Sequence, residues 1–156
     1  MLFLYALKLN YPSKVFLLRG NHETKVVASH FTFRAEVLYK YDEEVFNAIM
    51  DSFHMMPIAA EIDGKYFAVH GGLSPMLGSV SKIQEINRKV EIPNRGPLCD
   101  LMWSDPVAND MGKLANSQVD FLQNTKRNCS FNFGKRATQK FLKYNGYVCV
   151  IRAHEV

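Results

Sequence analysis

A chain of 156 residues, 47% hydrophobic and 22% charged, has the make-up of an ordinary globular domain, and at this length it buries about 68–70% of its unfolded surface. Its net charge of +4 is spread rather than blocked, and no apolar run approaches the ~20 residues of a membrane span, which argues against a nucleic-acid partner and a membrane helix. Cys99, Cys129 and Cys149 are odd in number and far apart, which speaks against a disulfide scaffold and for reduced thiols in the cytoplasm or nucleus.

In chain order, residues 2–10 read as an amphipathic helix stopped by Tyr11-Pro12 and starting without a capping residue. Val15-Phe16-Leu17-Leu18-Arg19 is an apolar run expected to form a short buried strand, and Gly20 turns the chain into Asn21-His22. Apolar positions at Phe31, Ala35 and Leu38 predict a helix over 29–40. A second helix follows, with Asp42 as its N-cap and Val45, Phe46, Ile49 and Phe53 on one face. Beyond Pro57, residues 58–62 and 66–69 flank Asp63-Gly64, a strong hairpin signal. That hairpin leads into His70-Gly71-Gly72. A short helix is expected over 80–88, a compact apolar turn over 98–103, and a mobile surface loop over 107–118. The alternation over 127–134 reads as a strand, 135–144 as a helix, and 148–152 as a third buried strand ending near His154.

Three expected strands thus end in a metal-capable side chain: Asn21-His22, His70 and His154. Neutral imidazole nitrogen and amide oxygen suit Zn, Fe or Mn. A single histidine after a strand is usually structural; three following one pattern point to a metal site. No anionic ligand stands beside them. His30 and His54 have no such context and read as surface or satisfied histidines. The spacing of Cys and Arg excludes a cysteine-dependent phosphatase, since Lys135 lies where the arginine is needed after Cys129. No phosphate-binding P-loop is present.

Four runs carry a resemblance. Leu18-Arg19-Gly20-Asn21-His22-Glu23, His70-Gly71-Gly72-Leu73-Ser74-Pro75, Trp103-Ser104-Asp105-Pro106 and Arg152-Ala153-His154-Glu155 resemble, in order, the signature motifs of the phosphoprotein phosphatase family. Phe31-Thr32-Phe33, the 124–130 run and Arg152-Ala153-His154-Glu155 are similar to the calcineurin (type 2B) catalytic subunit, whereas Phe131-Asn132-Phe133-Gly134 is as similar to type 1.

The resemblance implies an α/β (α+β-like) calcineurin-like metallophosphoesterase β-sandwich flanked by helices. It implies hydrolysis of phosphoserine and phosphothreonine in proteins by a hydroxide bridging two metal ions, Fe/Zn or Mn. Asn21, His70 and His154 match ligands of one metal, His22 the general acid, and Arg127 a phosphate-gripping arginine, with Asp105 behind it. The family's two Asp-containing N-terminal motifs occur nowhere here, so 1–156 reads as one partial catalytic domain, truncated at both ends and weak or inactive alone. A degenerate phosphatase-like binding module and a metallophosphoesterase acting on small phosphoesters are the alternatives. If calcineurin-like, the parent would take a calcium-binding regulatory subunit and calmodulin as partners.

Overall fold

The computed structural model describes residues 1–108 and 118–155; the loop expected over 107–118 falls mainly outside them. The N-terminal half is helical. Helix α1 (Leu2–Asn10) has no buried residue, leaving Phe3 and Leu9 in solvent. The strand expected at 15–19 does not form. Val15 N–H turns back to Tyr11, Arg19 N–H donates to the Pro57 carbonyl at 2.8 Å, and no ladder bond joins the run to a neighbour among the described residues. Phe16 is 72% exposed. An apolar run becomes a strand only when another backbone supplies its hydrogen bonds.

The single helix expected over 29–40 is two, α2 (Lys25–His30) and α3 (Phe33–Lys40), broken at Phe31-Thr32. It also begins earlier, because the Thr24 hydroxyl caps Val27 N–H. Helix α4 (Glu43–Met55) starts at Asp42, whose carboxylate accepts from Val45 N–H at 2.9 Å; Glu43 and Glu44 face the positive end of the helix. Its expected face is buried at Phe46, Ile49 and Phe53, joined by Met50, and packs with Ala28 and Val37 into a helical core.

The hairpin forms as expected. β1 (Ala59–Ile62) and β2 (Tyr66–Val69) pair antiparallel from Ala59↔Val69 to Ile62↔Tyr66, with Asp63 and Gly64 left-handed in the turn. β2 is the centre of its sheet, because β6 (Cys149–Arg152) runs parallel to it from Tyr66↔Cys149 to Val69↔Arg152. β6 is therefore an edge strand with Ile151 half-exposed, where a buried strand was expected. The second sheet has the order β3 (Asp105–Pro106), β5 (Phe131–Phe133), β4 (Phe121–Gln123). The strand expected over 127–134 shrinks to β5, since Asn128 and Ser130 have φ of 60° and 62°, which no extended strand tolerates.

Residues 97–103 form a helix, α5, rather than a turn. Pro97 opens it with its fixed φ, and five of its side chains are buried. Val80–Glu85 is 3-10 helical, and α6 (Lys135–Asn145) ends on left-handed Gly146. Phe67 and Val69 of β2, Leu101 and Met102 of α5, Phe133 of β5 and Phe141 of α6 share one core, so helices and both sheets pack as an α+β unit. No described helix is long and apolar enough to cross a membrane.

Candidate metal and phosphate site

Because β2 and β6 are parallel neighbours with Val69 opposite Arg152, the residues just past their ends emerge side by side. Ala153 N–H donates to the His70 carbonyl at 3.0 Å, and left-handed His154 (φ 71°) turns its ring inward. His70 Nε2 lies 3.2 Å from His154 Nδ1 and 2.6 Å from Asn21 Oδ1. Two ring nitrogens and an amide oxygen therefore converge from three distant parts of the sequence. Gly71 and Gly72 make this possible by letting the chain pass close to its neighbours. A Cβ on Gly71 would sit 2.7 Å from the Met102 backbone, and one on Gly72 would sit 2.1 Å from the Phe133 ring. The Gly71 N–H is bonded to the Leu101 carbonyl at 2.8 Å, tying the loop to α5.

Burial first, and then the positive charge of Arg152 and Arg127 together with the neighbouring histidines, pushes His70 down to about 4. Burial and the Arg127 guanidinium do the same to His154, to about 4, against the opposing pull of Asp105. Both imidazoles are thus neutral at neutral pH, the form that can ligate a metal. His154 Nε2 is buried with no hydrogen-bond partner among the described residues, and so is Ser104 Oγ.

Asp105 lies beneath this cluster. Its Oδ2 accepts from Arg127 Nε at 2.9 Å and Asn124 Nδ2 at 3.0 Å, its Oδ1 accepts from Arg152 Nη2 at 3.0 Å, and His154 Nε2 stands 3.8 Å away. Burial would raise its carboxyl, but the bonds from Arg127 and Asn124 and the Arg127 charge outweigh this and hold it below the ordinary carboxylate range. Arg127 Nη2 also donates to the His154 carbonyl at 3.3 Å. The structure thus brings together Asn21, His70, His154, Asp105 and Arg127. His22 is exposed at the edge. Its ring stacks on Phe31, centroids 5.1 Å apart and planes at 18°, and has no hydrogen-bond partner among the described residues.

Two residues that matter here lie within the matched runs, but the motifs by themselves give them no role. Arg152 holds Asp105 and donates to the Gly71 and Ser104 carbonyls; its place two residues before His154 was the available signal. Asn124 spans Arg127 N–H, at 3.1 Å, and Asp105. An Asn three residues ahead of the arginine is the signature of a side chain bonding to its own turn.

Asn21 Oδ1, His70 Nε2 and His154 Nδ1 are the neutral donors here that could hold a metal ion. No three His, Cys, Asp or Glu side chains cluster as ligands among the described residues, so the third donor has to be the Asn21 amide, and Asp105 is committed to the two arginines. A cavity of 390 Å³ opens against Arg127, with Val27, Ile92, Trp103 and Cys129 on its walls. A larger cavity, of 850 Å³ between Leu73, Phe121 and Phe141, touches none of the candidate residues; chemistry rather than size points to the candidate site.

This chain belongs to the calcineurin-like phosphoesterase family, whose model matches residues 1–156. More particularly, it is similar to the serine/threonine-protein phosphatase 2B catalytic subunit A1 of Saccharomyces cerevisiae, at 49% identity over 99% of this chain and 29% of that protein. It also matches the A2 subunit of the same yeast at 40%, again covering 29% of the relative. A solved S. cerevisiae serine/threonine phosphatase, described as similar to human phosphatase PP5, superimposes with a TM-score of 0.85 at 31% identity, over 99% of this chain and 46% of that one. The chain therefore spans less than half the length of these relatives. The expected resemblance to calcineurin and the expected fold both hold.

Proposed function

We propose that these residues form one wall of a metal-dependent protein serine/threonine phosphatase site. The observation that carries this reading is the convergence of Asn21 Oδ1, His70 Nε2 and His154 Nδ1, with both imidazoles neutral. Asn21, His70 and His154 would hold a metal, iron, zinc or manganese, which when bound activates water and polarises a phosphoryl oxygen. Arg127 offers its guanidinium to phosphate oxygens, and Asp105 keeps that guanidinium in place from behind. His22, in solvent and stacked on Phe31, is free to hand a proton to the departing serine or threonine oxygen.

Three uncharged donors hold a dication weakly, so the 156-residue chain is expected to turn over slowly, as a single partial catalytic domain. The substrates read as phosphoproteins, in the cytoplasm or nucleus where Cys99, Cys129 and Cys149 stay reduced. A calcium-binding regulatory subunit and calmodulin are the partners that the calcineurin likeness proposes for a complete protein. Hydrolysis of a phosphoserine peptide with added manganese is the test. A low rate that disappears in His22→Ala and in His70→Ala is expected; a rate untouched by both sinks the assignment. The unpartnered His22 ring favours a second reading, a phosphatase-like binding module. That reading gains if phosphopeptide binds with no turnover at any manganese concentration.

A further inference from the structure

Asp100, on α5, is 1% exposed, and both of its oxygens are taken by hydroxyls from different loops. Ser74 Oγ donates to Oδ2 at 2.6 Å, and Ser130 Oγ donates to Oδ1 at 2.8 Å. Ser74 belongs to the loop that runs on from His70. Ser130 closes the turn that carries Arg127, and Asn124 N–H donates to its carbonyl at 3.1 Å. Ser130 and Asn128 are both left-handed, a state that non-glycine residues hold only when the surroundings fix it. From within, Asn124 fixes the turn by accepting from Arg127 N–H; from outside, a buried carboxylate fixes it to the helix that also receives Gly71 N–H.

We infer that Asp100 is a positioning residue: by accepting from Ser130 it ties the Arg127 turn to α5, and by accepting separately from Ser74 it ties the His70 loop to the same helix, and so sets where the guanidinium stands relative to the imidazoles. A buried carboxylate suits the task, because acceptor oxygens with no water to compete for them hold hydroxyl donors strongly. The consequence for phosphate rests on the reading of Arg127 proposed above; the placement of Arg127 itself does not.

The test uses the full 156-residue chain and two readouts. One is hydrogen exchange of the Arg127 Nε–H, which is bonded to Asp105. The other is the shift of that resonance on titration with inorganic phosphate. Ser130→Ala is expected to speed the exchange by about tenfold and to weaken phosphate binding, whereas Ser74→Ala leaves the Arg127 resonance as it was. Asp100→Asn, whose amide can still engage both hydroxyls, restores most of the protection that Asp100→Ala loses. Should Asp100→Ala fail to fold, the serine variants decide. Wild-type protection in Ser130→Ala overturns the inference, and so does equal loss in Ser74→Ala, which would mean general loosening. If phosphate leaves the wild-type resonance unmoved, the phosphate role of Arg127 falls, while the exchange rates still decide the role of Asp100.

Discussion

His70 and His154 tie the site to the stability of the fold. Each titrates near 4 when folded, against about 6.5 for a free histidine. Between those values the unfolded chain binds more protons than the native one, so stability rises with pH across that window. The contribution is therefore complete above about pH 6.5 and is lost as pH falls toward about 4. A urea midpoint that drops steadily from pH 7 to pH 5, with a shallower drop in His154→Gln, is the expected result; equal slopes in the two proteins would place the titration elsewhere. The same burial that costs stability in acid leaves both imidazoles neutral at physiological pH, so one cause has both effects. Histidines and an asparagine at suspicious places were legible in the sequence. Their protonation was not, because desolvation is a property of what surrounds a side chain.

At the scale of elements, several signals that lie within a few residues are legible in the sequence, although the equally local Thr24 cap and Pro97 helix start are not part of that reading. Asp63-Gly64 makes the hairpin and Asp42 caps α4. Asp42→Ala is expected to cost about 1 kcal/mol, seen as a lowered Tm with the site geometry unchanged. Elements whose existence depends on a distant partner were misread. The run at 15–19 lacks a paired strand among the described residues, the 127–134 alternation is cut by two left-handed residues, and β4 exists because β5 is there to bond it. Gly71 joins two elements, since its missing Cβ lets the end of β2 lie against the backbone of α5. Gly71→Ala should cost about 1–3 kcal/mol, because backbone, unlike a long side chain, cannot swing aside. Calorimetry showing an unchanged Tm would contradict that close approach.

At the scale of the molecule, the described residues form two apolar cores, a helical one around Phe46 and a sheet core around Phe67, Met102 and Phe133. The site stands on the second. Phe67→Ala empties space between β2 and α6, where Phe67 meets Phe141 at 5.1 Å between centroids, and is expected to cost about 3–5 kcal/mol. Loss of manganese binding together with that stability is the expected companion, measured by calorimetric titration; binding that survives at full strength would separate the site from this core.

By itself the sequence determined which side chains could ligate, where hairpin and caps form, and the family, because donor identity, turn chemistry and motif order are written within short windows. Only the tertiary structure decided that Asn21, His70 and His154 meet, that Asp105 is shared by Arg127 and Arg152, and that Asp100 joins two loops. The physical reason is the parallel pairing of β2 with β6. Its register is set by burial and hydrogen bonding between segments some eighty residues apart, which no local window contains.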